Sequence, residues 1–183
     1  NNNRIRWWDR DRGIVTTRVG SGLSGDGPDG VPARETGMNH VTDITEMPGG
    51  GWVIADWHNH RLRVLEGDVI DALYGLGEPG FAGDGEPAVT AQFNYPVSVR
   101  FDSADRLVVA DQGNNRVRRI DTFGEVTTIA GTGLGTGFDP VTGESLERCV
   151  GASPLGVLDC YTGDGGLATE ATLNNTLGQS GVP

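Results

Sequence analysis

YPVSVRFDSADRLVVADQGNNRVRRIDTFGEVTTIAGTG, residues 95–133, contains four apolar or alternating runs, at 97–101, 107–110, 117–120 and 126–129. Between them lie the turn-forming clusters at 102–105, 112–115 and 122–124. Short β-branched runs parted by Gly, Asn, Asp and Ser read as strands joined by tight turns. The stretch therefore predicts a four-stranded antiparallel meander, a-b-c-d. HVTDITEM, GWVIADWHNHRLRVLEG and DVIDALYGLG repeat the pattern one unit upstream, within residues 40–77.

Subtraction gives the register of the copies. The interval from Arg4 to Arg61 nearly equals that from Arg61 to Arg116, and each of the three is followed by an apolar residue and a second arginine. The pairs Gly20/Gly22, Gly75/Gly77 and Gly131/Gly133 recur at 55 and 56. Four strands per copy at that period is the signature of a β-propeller blade, somewhat longer than the usual ~40–50 residues.

Composition agrees with an all-β chain. Of 183 residues 30 are glycine and only 36% are hydrophobic, as expected where many turns need positive φ. No segment approaches the ~18 consecutive apolar residues of a membrane span. A net charge of −11 argues against a nucleic-acid partner, because phosphate binding needs a basic surface.

The units ADWHNHRLRVL and VADQGNNRVRRID, with FAGDGEPAVTAQFNYP and YTGDGGLATEATLNN between and after them, resemble NHL repeats. They are similar to the glycine-rich bacterial type that also forms the propeller of teneurins. That resemblance implies a six-bladed propeller, of which this chain holds part. Residues 1–22 read as the C-terminal half of a blade, 40–77 and 95–133 as complete blades, 134–161 as an insertion loop, and 162–183 as a crossover and the start of another blade. The chain thus reads as a fragment of a longer propeller.

In such a meander the b-to-c turns and the d-to-next-a crossovers lie at the same end of each blade. The b-to-c turns carry Asp56, Asn59 and Arg61 in one copy and Asp111, Asn114 and Arg116 in the next. Asp at a strand end can accept N–H bonds from the turn, and Asn tolerates the left-handed conformation. Because the set repeats, it is assigned to structure, with each Arg paired to an Asp of its own or a neighbouring blade. The crossovers carry Asp26, Asp84 and Asp164 between glycines, each followed ten to thirteen residues later by Asn39, Asn94 or Asn174. A Ca²⁺ role is weighed and set below a fastening role, since Ca²⁺ takes about six to eight oxygens and each loop offers one carboxylate.

His40, His58 and His60 lie on this same face, and the next copy has Tyr95, Gly113 and Asn115 in their places. Singular residues on a repeated scaffold are where function is grafted, so His40, Trp57, His58, His60 and Tyr95 are the candidate binding residues. Zn²⁺ is weighed for the histidines, but about three protein ligands are needed, and no metal site is assigned. Of the remaining tryptophans, Trp52 is expected to pack between blades, and Trp7 and Trp8 to point to opposite sides of a strand, one buried and one exposed.

The third crossover is longer: Asp164 follows Asp84 at a much greater interval than Asp84 follows Asp26. The surplus contains Cys149 and Cys160, the chain's two cysteines. Their closeness within one loop favours a local disulfide, hence a secreted, periplasmic or cell-surface protein. The expected function is a non-catalytic scaffold for a protein or glycan ligand on the turn-bearing face. Its rival is a propeller enzyme, which the resemblance would make a metal-dependent lyase or lactonase, with its site around His40 and the b-to-c turns.

Overall fold

A computed structural model describes residues 2–133, 165–171 and 173. Cys149, Cys160, Asp164, Asn174 and residues 134–161 lie outside the described residues.

Two strands, β1 (Ile5–Asp9) and β2 (Ile14–Val19), pair antiparallel as a half-blade. The first full blade follows as β4 (Val41–Glu46), β5 (Trp52–Asp56), β6 (Arg61–Glu66) and β7 (Val69–Tyr74). The second is β9 (Pro96–Phe101), β10 (Leu107–Asp111), β11 (Arg116–Ile120) and β12 (Glu125–Ala130). Each is the expected four-stranded meander. Each also gains a two-residue fifth strand from the preceding crossover: β3 (Val31–Pro32) pairs with β7, and β8 (Glu86–Pro87) with β12. The fold is an all-β, partial β-propeller.

Strands buried on both faces read as continuous apolar runs, and β5 is such a strand. Val53 and Ala55 enter the core shared with the second blade, while Ile54 points the other way, toward the half-blade. The crossovers complete both cores, Ala33 and Met38 in one, Ala88, Ala91 and Phe93 in the other. Between the inner strands β4 and β9, Asp43 Oδ2 accepts Ser98 Oγ at 2.7 Å and the Val99 N–H at 3.0 Å. The expected split of Trp7 and Trp8 does not hold: they are 52% and 60% exposed. The two-stranded ribbon offers little cover on either side, although Trp7 meets Trp52 edge to face at 6.3 Å.

Every outer strand ends in the same way. The N–H groups of Gly20, Gly75 and Gly131 donate to the carbonyls of Ala33, Ala88 and Ala168 at 2.8, 3.0 and 3.0 Å. All three glycines have φ near +90°, and a Cβ there would lie 2.2 Å from Asn3 O, 2.9 Å from Phe93 Cδ2 and 2.3 Å from Asn115 O respectively. At Gly20 and Gly131 the chain turns so tightly against the preceding strand that only glycine fits, and at Gly75 the Phe93 ring takes the space.

Candidate functional site

Strands β5 and β10 end in Asp56 and Asp111, both fully buried. A 3-10 turn follows each (Trp57–Asn59 and Gln112–Asn114) and closes on a left-handed residue, His60 (φ 51°) or Asn115 (φ 49°), that sends the chain back into the next strand. Asp56 Oδ1 accepts the Asn39 N–H at 2.9 Å and Oδ2 the Asn59 amide at 2.8 Å. Asp111 repeats this with Asn94 at 2.7 Å and Asn114 at 2.8 Å. The backbone donor thus comes from the crossover, which ends beside the aspartate, and not from the turn. Burial pushes both carboxyls up to about 6, against the opposing pull of these N–H groups and of Arg63 or Arg118.

The arginines divide the work unevenly. Arg61 binds Asp26, and Asp29 at 2.7 Å. Arg116 pairs with no carboxylate among the described residues: its Nη2 donates to the Thr132 carbonyl at 2.7 Å, and its guanidinium lies 3.8 Å above the Phe81 ring. In the two full blades it is the second arginine, Arg63 or Arg118, that is fully buried, whereas Arg6 of the two-stranded ribbon is exposed. Arg63 reaches Asp29 at 2.7 Å and Arg118 reaches Asp84 at 2.8 Å.

The structure therefore gives the repeat position of Asp84 to Asp29 rather than Asp26. Asp29 precedes Arg63 by the same interval as Asp84 precedes Arg118. Strand β3 likewise stands two residues after Asp29, as β8 does after Asp84. Asp26 is an additional carboxylate that serves Arg61. The match of DGVPA at 29–33 with DGEPA at 84–88 was the available signal, hidden by the earlier Gly-Asp-Gly.

Against this repeated frame the singular residues converge. His40 and Tyr95 occupy equivalent crossover ends, and both have left-handed backbones, φ 60° and 52°. Trp57 stacks on His58 at 4.2 Å, His40 meets Trp57 at 4.8 Å and His58 at 5.0 Å, and Tyr95 lies 5.1 Å from Trp57 and 4.5 Å from His60. All five candidate binding residues thus form one cluster of rings where the two blades meet. Trp57 Nε1 donates to Gln112 Oε1 at 2.9 Å, which fixes the indole across the blade boundary. The Tyr95 N–H donates to His60 Nδ1 at 3.2 Å. Burial, and then the neighbouring imidazole, hold His58 and His60 below the ordinary histidine value. His58 and Tyr95 are exposed, and His60 is buried. Beside His40 a polar cleft of about 120 Å³ is lined by Asn2, Asn3, Arg4, His40 and Val41. Among the described residues no group of three His, Cys, Asp or Glu side chains is placed to hold a metal ion.

Known proteins resemble the chain at two levels. The model of the NHL repeat matches residues 93–120. A probable phosphatase of Vibrio atlanticus strain LGP32 is 24% identical over 138 residues, which cover 68% of this chain and 52% of that protein. Two solved structures from Bacteroides thetaiotaomicron share the fold. A structural-genomics protein of unknown function (TM-score 0.56, 18% identity) covers 80% of this chain and 34% of its own. An auxiliary nutrient binding protein (TM-score 0.52, 18% identity) covers 69% and 33%. The chain spans about half the length of the curated relative it matches and a third of each solved chain. No helix among the described residues is long and apolar enough to cross a membrane. The second blade matches the NHL repeat over 93–120 and the first is built in the same way, within the fold of a partial β-propeller.

Proposed function

We propose that this propeller is a non-catalytic recognition scaffold that takes a protein or glycan ligand on the face carrying the b-to-c turns and crossovers. The observation that carries the proposal is the ring cluster of His40, Trp57, His58, His60 and Tyr95, assembled from three separate segments of the chain. Two features add weight. A bulky tyrosine in the left-handed region costs free energy that an Asn or Gly would save, yet Tyr95 adopts it. Strain of this kind concentrates at ligand sites. The cleft beside His40 also brings side-chain amides and a guanidinium to the edge of the rings, and flat apolar faces ringed by a few polar groups suit a sugar or a peptide.

A nutrient-binding propeller among the solved relatives supports the ligand-binding reading, and an envelope or extracellular location follows from the cysteine reading of the third crossover. A thiol assay on native protein tests that location: two reactive thiols overturn it. For the site, a glycan array and a displayed-peptide library are probed with wild type and with Trp57→Ala. Loss of an aromatic anchor costs about 2 kcal/mol, roughly 30-fold in affinity. Unchanged binding by a folded Trp57→Ala variant overturns the proposal.

The rival, a metal-dependent enzyme of lyase or lactonase type with its site around His40, gains one observation: a relative is named as a probable phosphatase. Hydrolysis of a phosphate monoester by the purified protein, abolished by His40→Ala, supports an enzyme over a scaffold.

A further inference from the structure

The ring cluster holds three imidazoles and no carboxylate. His40 and His58 meet at 5.0 Å, and His60 lies against Tyr95 at 4.5 Å. The acids near this end of the blades are committed elsewhere, Asp56 to Asn39 and Asn59, Asp26 and Asp29 to Arg61. Among the described residues the titratable and charged groups around His60 are therefore His58 on its own turn, Arg61 next in the chain with its two carboxylates, Asp56 at the start of the turn, and Tyr95 from the adjoining crossover.

His60 has a task that its equivalent performs without an ionisable group. In the preceding copy the His40 N–H donates to Asn3 Oδ1 at 3.4 Å, and here the Tyr95 N–H donates to His60 Nδ1 at 3.2 Å. An amide oxygen keeps its lone pairs at every pH of interest. An imidazole nitrogen does not: once protonated, both ring nitrogens carry hydrogen and neither accepts. Tyr95 would then face a like N–H dipole while sitting in a backbone region unfavourable to a bulky side chain. Charging His58 as well would set like charges against each other within the cluster.

We infer that His60 is a pH-operated catch on the ring platform. Neutral, it holds Tyr95 in place; protonated, it releases Tyr95 and loosens the cluster, so that a ligand bound near neutral pH is let go in acid. The inference rests on the platform being the ligand site. Burial holds the His60 imidazole below its usual 6.5, so the release comes below that pH.

The test reads the platform and needs no ligand. Amide exchange and histidine ring shifts are followed by NMR on the full chain between pH 7.5 and 5. The protection factor of the Tyr95 amide, corrected for intrinsic exchange, is expected to fall by about tenfold or more as His60 titrates. His60→Asn, which supplies the oxygen used in the preceding copy, keeps Tyr95 protected at both pH values, whereas His58→Asn leaves the fall in place. Burial raises the Asp56 carboxyl to about 6, inside the pH span of the experiment, and the His60→Asn variant separates its effect. The inference is overturned if Tyr95 stays protected in wild type, if His60 remains neutral at pH 5, or if the fall persists in His60→Asn. Such a failure leaves the ligand-binding proposal standing, and unchanged ligand binding by Trp57→Ala sinks that proposal without touching this result.

Discussion

Asp84→Ala deprives a buried guanidinium of its carboxylate. Arg118 is fully buried, and Asp84 Oδ1 takes its Nη2 at 2.8 Å and its Nε at 3.1 Å. Asp84 Oδ2 also accepts the Thr128 N–H at 3.2 Å. Removing one partner of a buried ion pair costs about 3–5 kcal/mol, because the other charge stays behind. Two features lower that figure here. The Asp84 side chain is 34% exposed, so water can refill part of its place, and Asp111 Oδ2 remains 3.5 Å from Arg118 Nη1. The expected loss is about 2–3 kcal/mol, or roughly 4–12 °C in Tm for a chain of this size. Thermal and urea unfolding followed by circular dichroism on the full chain measure it. The assignment of Asp29 to the same repeat position gives an internal comparison. Asp29→Ala touches both Arg61 and Arg63 and is expected to cost as much as Asp84→Ala, whereas Asp26→Ala leaves Arg61 with Asp29 and costs about 1 kcal/mol or less. An Asp84→Ala protein within about 0.5 kcal/mol of wild type, or Asp26→Ala as damaging as Asp29→Ala, would refute the reasoning.

Three further outcomes are expected. Gly131→Ala, whose Cβ would lie 2.3 Å from the Asn115 carbonyl, should cost more than about 2 kcal/mol, while Gly85→Ala, with positive φ but open space around it, should cost only about 1 kcal/mol of strain; equal losses in urea unfolding would contradict the role of the tight approach. Burial raises Asp56 and Asp111 from 3.8 to about 6, so between those values the native state binds protons that the unfolded chain releases, and their contribution to stability falls as pH rises, by at most about 3 kcal/mol each. The lowered histidines act in the opposite direction, so the check is the difference between wild type and Asp111→Asn: the variant should lose less stability from pH 4 to 6.5, and identical slopes would exclude the effect. Trp57→Phe keeps a ring but loses the bond to Gln112, so it should destabilise by about 1 kcal/mol while binding ligand better than Trp57→Ala.

Much of the fold could be read beforehand because propeller strands alternate with turns in a strict rhythm. The four runs of 95–133 became β9 to β12 with ends shifted by about one residue. The fifth strands escaped notice, since two residues of Val-Pro or Glu-Pro carry no periodicity, and Pro reads as a breaker. Arg63 and Arg118 were visible as recurring residues, but nothing in composition says that an arginine is wholly buried; that depends on the carboxylate and carbonyls which a distant crossover brings to it. The candidate site was legible as five departures from the repeat on one face. Their contact was not, because His40, Trp57 and Tyr95 belong to well-separated segments of the sequence and meet only where one blade abuts the next.

The two-residue strands β3 and β8 also bear on how such a chain can be cut or copied. Each crossover hems the outer margin of the blade after it, so the covalent module and the spatial module are out of step. A segment trimmed to start at its own innermost strand would arrive without its edge, and would also lack the aspartate that neutralises its interior arginine. Excised or grafted units should therefore begin upstream, just past the glycine that closes the previous blade, and the same stagger gives tandem duplication a natural means of stitching each new blade to its parent.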